Sequence, residues 1–113
     1  MPASIADVTQ WLESQTDNEL IITKHEDDDV DETVIRLARI ERKGERSDAL
    51  DDYTNGAALV LRGNGTVLTE GREEPLPSDA FEIPLEGLSL TETADGAALI
   101  VTERARYSIK VRA

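Results

Sequence analysis

The chain has 113 residues, the usual size of one domain, and it contains no cysteine. Disulfide frameworks and cysteine-based zinc sites are therefore excluded. There are 24 acidic residues and 12 basic ones, which gives a net charge of -12. A protein with this charge should repel nucleic acid and anionic membranes. We expect a single domain over residues 1–113.

The basic residues are mostly arginine, with nine arginines and only three lysines. An acid excess with few lysines suits a protein that stays hydrated in concentrated salt, where carboxylates hold water and cations and the salt screens their repulsion. We therefore expect a halophilic source. An ordinary acidic protein from a GC-rich genome is the alternative.

The longest apolar runs, 57–61 and 97–101, fall far short of the about 20 residues that a membrane span needs. The first 15 residues carry neither the basic nor the apolar stretch of a signal peptide. The sequence therefore predicts a cytoplasmic protein.

Residues 4–15 predict a short amphipathic helix, which Ser4 can cap. One face of this helix carries apolar residues at helical spacing, namely Ile5, Val8, Trp11 and Leu12. We expect Trp11, the only tryptophan, to anchor the helix on the core rather than to stack on a ligand.

The next part of the chain predicts two strands around an acidic loop. Residues 19–24 predict a strand, and residues 26–32 predict the loop. Residues 33–41 fit neither the helical nor the strand period cleanly, and their β-branched side chains favour a strand. Residues 42–52 are polar and predict a connector.

The acidic loop invites comparison with a calcium-binding loop. Asp27, Asp29 and Asp31 match positions one, three and five of an EF-hand. Glu32 stands where that loop needs glycine, and Ala38 stands where it needs glutamate. We therefore expect at most weak cation binding by this loop.

The second half of the chain predicts strands separated by turns. The elements are a turn at 55–56, a strand at 57–62, a turn at 63–65, a strand at 66–70, a loop at 72–78, an edge strand or extended loop at 81–86, a hairpin turn at 95–96, and strands at 97–102 and 106–112. Pro84 cannot donate to a ladder and so restricts its segment to an edge. Segments 55–61 and 95–101 are alike at an offset of 40 residues. This similarity predicts two hairpins in one core, arising by duplication or by convergence.

Nine of the twelve basic residues fall into two groups. The first group is Arg36, Arg39, Arg42, Lys43 and Arg46. The second group is Arg104, Arg106, Lys110 and Arg112, which a strand would place on one face. The second group is a candidate stripe for an anionic partner or an acidic peptide. The alternative is cross-strand pairing with Glu82, Glu86 and Glu92.

The residues that could support catalysis form no recognisable motif. His25, the only histidine, would need a serine nucleophile brought to it by the fold. The G-x-S-x-G elbow is absent from the sequence. Gly63 and Gly65 precede a predicted strand rather than a helix, so a hairpin turn explains them better than a phosphate cradle. We assign no catalytic, cofactor or metal residues.

These features predict an α+β protein rich in β structure, with one N-terminal helix packed on an antiparallel sheet of six or seven strands that is curled or partly closed. The expected function is a non-catalytic protein-interaction or regulatory module that binds a protein partner or itself as a homodimer. The alternatives are a small enzyme that uses carboxylates, and a pocket that binds a small apolar ligand.

Overall fold

A computed structural model describes residues 5–43 and 57–112 of the chain. Within these residues one helix precedes eight strands, and a 3-10 turn, Pro77–Asp79, lies between the fourth strand and the fifth. The bounds are α1 Ile5–Glu13, β1 Glu19–Glu26, β2 Asp29–Lys43, β3 Ala58–Thr69, β4 Arg72–Pro75, β5 Ala80–Pro84, β6 Leu90–Ala94, β7 Ala97–Val101 and β8 Arg106–Val111. The predicted α+β class is confirmed, because the N-terminal helix packs on one antiparallel sheet.

The sheet has the strand order β4-β3-β2-β1-β8-β7-β6, and β5 also pairs with β3. Because β4 and β5 follow one another along the same edge of β3, the eight strands fill seven positions. The last strand of the sequence, β8, lies in the interior of the sheet between β1 and β7. It therefore joins the first half of the chain to the second.

The sheet is open but strongly curled. Phe81 on β5 and Tyr107 on β8 lie four strand positions apart, which would be about 19 Å in a flat sheet. Their ring centroids are nevertheless 6.3 Å apart, in an edge-to-face arrangement. The concave face of the sheet thus folds around the core and brings β5 opposite β8.

The core fills the concave face, and α1 lies over it in contact with β2 and β6. Val8 and Leu12 of the helix are fully buried, while Ile5 and Trp11 pack at the margin of the core. The predicted packing role of Trp11 is confirmed. The strands supply most of the other buried side chains, including Leu20, Ile22, Ile35, Leu37, Leu59, Leu61, Ile83, Ile100 and Ile109.

A β-bulge explains why residues 33–41 showed no clear period. Thr33, Ile35 and Leu37 are buried in strict alternation, and the register with β3 then shifts between Leu37 and Arg39. Ala38 is the extra residue, so the inward face passes to Ile40, which packs against the core. The strand prediction is confirmed, and the missing period reflects one inserted residue.

The prediction of a turn at 63–65 is wrong, because β3 continues through these residues without interruption. A Cβ at Gly63 would overlap the backbone carbonyl oxygen of Arg36, and one at Gly65 would overlap that of Val34. Both glycines thus allow β2 and β3 to approach closely beside the bulge. The chain reverses later instead, at Glu70 and Gly71, whose positive φ angles suit a two-residue hairpin.

Two predicted loops are also corrected. The acidic loop at 26–32 is a tight hairpin, in which only Asp27 and Asp28 form the turn and residues 29–32 belong to β2. The loop at 72–78 contains strand β4 and the start of the 3-10 turn. In both places cross-strand pairing holds a polar sequence in an extended form that its composition does not reveal.

The similarity of segments 55–61 and 95–101 does not extend to which side chains of the two strands are buried. In the first segment, Ala57, Leu59 and Leu61 belong to the main core. The corresponding residues of the second segment, at 97, 99 and 101, face the opposite side of the sheet. Their neighbours Ala98 and Ile100 are buried instead. The turn at 55–56 and most of the connector at 42–52 lie outside the described residues.

Three predictions in the second half are confirmed. β5 is an edge strand that carries Pro84, and Asp95 and Gly96 form the turn between β6 and β7. Tyr107 and Ile109 of β8 are buried, while Arg106 and Lys110 are exposed. In the described part of the chain, no helix is long and apolar enough to cross a membrane.

Candidate functional site

The convex face of the sheet, opposite α1, carries the candidate stripe. We call it the outer face. On β8 it presents Arg106, Ser108 and Lys110, which form what we call the basic column. Arg112 directly follows β8, and Arg104 lies in the turn between β7 and β8. The structure thus brings Arg106, Lys110 and Arg112 into one line, with Arg104 at its end on the turn.

Within the described residues, the cations of this line differ in their ion pairing. Arg112 lies 3.5 Å from a carboxylate oxygen of Glu19. Arg106 and Lys110 form no ion pair with the described part of the chain. Cross-strand pairing, the alternative for the stripe, thus occurs at Arg112, although with Glu19 and not with Glu82, which binds Lys43 at 3.3 Å. Arg104, Arg106 and Lys110 thus remain exposed without an ion pair to the described residues, on a chain with a large excess of acid.

An apolar column runs beside the basic column. On β7 the outward residues are Ala97, Leu99 and Val101, all partly exposed. An open groove of about 420 Å³ lies at this edge, lined by Ala94, Ala97 and Leu99 together with Ser108 of the basic column and with Glu92 of β6. The outer face therefore offers cations and apolar side chains in adjacent strands.

A second concave region, which we call the Arg36 groove, lies on the outer face at the bulge. Its volume is about 330 Å³, and its floor holds Arg36, Arg39, Arg62 and Asn64. Its walls are the turn after α1 and the 3-10 turn, which contribute Asp17, Ser78 and Asp79. Because Arg36 and Asn64 also line a neighbouring groove that contains Arg112, the Arg36 groove adjoins the end of the stripe.

The walls of the Arg36 groove are conformationally unusual. Asp17, Ser78 and Asp79 have φ values of 74°, 56° and 51°, in the region that side chains other than glycine rarely adopt. The Asp17 N–H donates to the carbonyl oxygen of Leu37, which fixes this turn against the bulge. Residues held in such conformations concentrate at functional sites, where the surrounding structure compensates for the strain.

The arginines on the floor are held by hydrogen bonds. Arg36 donates to the backbone oxygen of Asp17 at 2.9 Å. Arg39 and Arg62 donate to the two carboxylate oxygens of Glu41 at 2.8 and 2.9 Å. These hydrogen bonds lower the pKa of Glu41 below its ordinary value, with the bond from Arg62 as the largest cause.

The other candidates from the sequence form no further site among the described residues. His25 is exposed on β1, opposite Arg106 on β8 and Val30 on β2. Among the described residues, no group of three histidine or acidic side chains is arranged to hold a metal ion. Of the first basic group, Arg36, Arg39, Arg42 and Lys43 lie on β2, and Arg46 lies outside the described residues.

Sequence reasoning missed the Arg36 groove, although it noted the two arginines of β2 that line it, Arg36 and Arg39. Asn64 was assigned to a turn, and Ser78 to a loop. The available signal was a pair of glycines two residues apart, because glycine within a strand can mark a close backbone approach as well as a turn.

Comparison with known proteins identifies a curated relative and a family. A curated protein of Bacillus subtilis (strain 168), described as uncharacterized protein YmzB, is 35% identical over 111 residues, which cover 93% of this chain and 92% of that protein. No solved structure matches the chain. The sequence model of the YmzB-like protein family matches residues 1–113, and the chain therefore belongs to the YmzB-like family.

Proposed function

We propose that the protein is a non-catalytic, cytoplasmic protein-interaction module that binds an acidic segment of a partner protein along the basic column. The observation that carries the proposal is the exposure of Arg106 and Lys110 without an ion pair to the described residues, in a chain whose net charge is -12. An isolated cation on such a surface is a strong local attraction for a carboxylate from another molecule.

The geometry specifies the segment that would fit. Arg106 and Lys110 are four residues apart on one strand, a distance of about 13 Å. An extended segment would therefore match them with acidic side chains at positions i and i+4, and would reach Arg112 with a third at i+6. The apolar column of β7 lies alongside and suits apolar residues between the acids. Exclusion of water by these apolar contacts would strengthen the ion pairs at the centre of the interface.

The test uses a fluorescently labelled peptide with glutamates at positions i, i+4 and i+6 and leucines between them. We expect anisotropy to rise with the protein, and a peptide with lysine in place of glutamate to leave it unchanged. The double variant Arg106→Glu/Lys110→Glu should lose binding at least tenfold, because truncating or reversing charge pairs at an interface costs about 2 kcal/mol or more.

A matched control carries the same change in net charge on other strands. Arg72 and Lys43 are exposed on β4 and β2, and Arg72→Glu/Lys43→Glu should bind the peptide as the wild type does. Thermal melts of both variants would check that each is folded. Equal binding by the wild type and the basic-column variant, or an equal loss in the control, would refute the proposal.

A second copy of the chain is the second candidate occupant. The tip of the β1–β2 hairpin presents Asp29, Val30 and Asp31, and Val30 is 55% exposed. The two aspartates are two residues apart, which matches the spacing of Lys110 and Arg112, and apolar Val30 lies between them. Sedimentation equilibrium distinguishes the two occupants. A wild-type dimer that the Arg106→Glu/Lys110→Glu variant dissociates, together with no binding of the peptide by the wild type, would assign the column to self-association.

A further inference from the structure

The structure points to a second binding site, distinct from the basic column, and we propose that the Arg36 groove binds a small hydroxylated oxyanion, a molecule that carries a carboxylate or phosphate together with hydroxyl groups. The inference starts from the three arginines on the floor of the groove. Each is fixed by one hydrogen bond to the protein, and a guanidinium group has five N–H donors, so each retains donors for a ligand.

Fixing a guanidinium in advance favours binding. An arginine on a mobile side chain loses rotamer entropy when it binds an anion, whereas a planar group that is already held loses less. Arg36 is held by the turn after α1, and Arg39 and Arg62 are both held by the single carboxylate of Glu41. The three guanidinium groups concentrate positive charge on the floor beside the one carboxylate of Glu41, while the carboxylates of Asp17 and Asp79 on the walls balance the charge of the groove as a whole.

The size and the walls of the groove limit the ligand. A volume of about 330 Å³ lies at the lower end of the range of about 300–1,000 Å³ for small-molecule sites. Asp17 and Asp79 stand on the two walls, where their carboxylates would repel an anion without hydroxyl groups but accept hydrogen bonds from a ligand that has them. An oxyanion over the floor with hydroxyls toward the walls satisfies both sets of groups.

The strained walls support this assignment in addition to the arginines. Asp17 and the pair Ser78 and Asp79 come from segments far apart in the sequence, and each holds a positive φ at the same groove. The bulge at Ala38 and the close approach of Gly63 to Arg36 shape the floor between them. Backbone irregularities from three separate segments of the chain thus meet at one concave surface that carries the arginines.

Calorimetric titration at constant ionic strength tests the proposal with three probes. Citrate represents a hydroxylated carboxylate, glucose 6-phosphate represents a hydroxylated phosphate, and tricarballylate is citrate without its hydroxyl group. We expect citrate or glucose 6-phosphate to bind with a Kd below about 1 mM. Citrate should also bind more tightly than tricarballylate. Which of the first two binds more tightly identifies the carboxylate or the phosphate as the preferred group.

Variants locate the site. Arg36→Lys keeps the charge but removes the fork of donors and should weaken binding about tenfold, as expected for a lost charge-assisted hydrogen bond. Arg39→Gln should weaken it several-fold without disturbing the bond between Arg62 and Glu41. Arg106→Gln, on the basic column, is the matched control and should bind as the wild type does. Amide chemical shifts should change at residues 36, 64 and 78 on titration.

The result also separates this site from the proposed protein-binding surface. The Arg106→Glu/Lys110→Glu variant should lose the acidic peptide and keep the small oxyanion, so either proposal can fail alone. The Arg36 groove is not a ligand site if neither citrate nor glucose 6-phosphate binds the wild type below about 1 mM. The proposal is also overturned if Arg106→Gln weakens binding as much as Arg39→Gln, because each variant removes one positive charge and binding would then follow net charge alone.

Discussion

The contact between Phe81 and Tyr107 gives the sharpest test of the curled sheet. The two rings belong to strands that a flat sheet would hold about 19 Å apart. They touch edge to face at 6.3 Å only because the concave face closes over the core. A double-mutant cycle with Phe81→Leu and Tyr107→Leu measures the coupling between the rings directly.

The expected coupling follows from the contact geometry. Aromatic pairs in this arrangement contribute about 0.5–1.5 kcal/mol beyond the area that they bury. Residues separated by more than about 10 Å with no shared partner usually add within 0.3–0.5 kcal/mol. The curled sheet therefore predicts that the two substitutions together cost about 1 kcal/mol less than the sum of the single losses.

Urea unfolding of the wild type, the two single variants and the double variant supplies the four free energies, and equal m values verify that each unfolds in the same way. The control cycle pairs Phe81→Leu with Leu99→Ala, because Leu99 lies on the outer face, across the sheet from the ring. We expect no coupling there. A coupling between Phe81 and Tyr107 of less than about 0.3 kcal/mol would refute the curl.

The remaining predictions concern salt, the close strand approach, acid and the central strand. The melting temperature should rise from low to molar sodium chloride, because salt screens the repulsion among 24 carboxylates. An unchanged or lower melting temperature would refute the halophilic interpretation. Equal stabilisation by sodium sulfate at matched ionic strength would leave that interpretation without support, because sulfate also stabilises proteins by exclusion from their surface. Gly63→Ala should lower the melting temperature more than Gly71→Ala, because a Cβ overlaps the backbone of Arg36 at the first position, whereas at the second it meets no atom and costs only the strain of the positive φ. A smaller loss at Gly63 than at Gly71 would refute the close approach. The pKa of Glu41 is lowered in the folded protein, so ionised Glu41 stabilises the fold above its ordinary pKa of 4.5, and this stabilisation is lost as the pH falls through the folded value. The difference in melting temperature between the wild type and Glu41→Gln should therefore shrink below pH 4.5. A difference that stays constant with pH would contradict this prediction. Ile109→Ala, at a fully buried position of β8, should lower the free energy of unfolding by about 2–5 kcal/mol in urea melts, with exposed Lys110→Ala as the control; a loss under about 1 kcal/mol would contradict the interior position of β8.

Sequence patterns alone predicted those elements whose signals are local. The helical face of Val8 and Leu12, the turn at Asp95 and Gly96, and the alternation around Tyr107 all depend on spacings within one element. The period of a helix or a half-buried strand is visible in sequence because each side chain meets water or core according to its position in the repeat. The same reasoning identified the face on which Arg106 and Lys110 lie.

The tertiary structure decided everything that depends on pairing between distant residues. Composition predicted a turn at 63–65 and a loop at 26–32. In the structure, hydrogen bonding of β3 to β2 makes 63–65 part of a strand, and pairing of β1 with β2 does the same for most of 26–32. The interior place of β8, the curl that joins β5 to it, and the Arg36 groove each combine segments far apart in the chain. Local sequence carries no record of such partners, because the free energy that selects them comes from long-range contacts formed only in the folded chain.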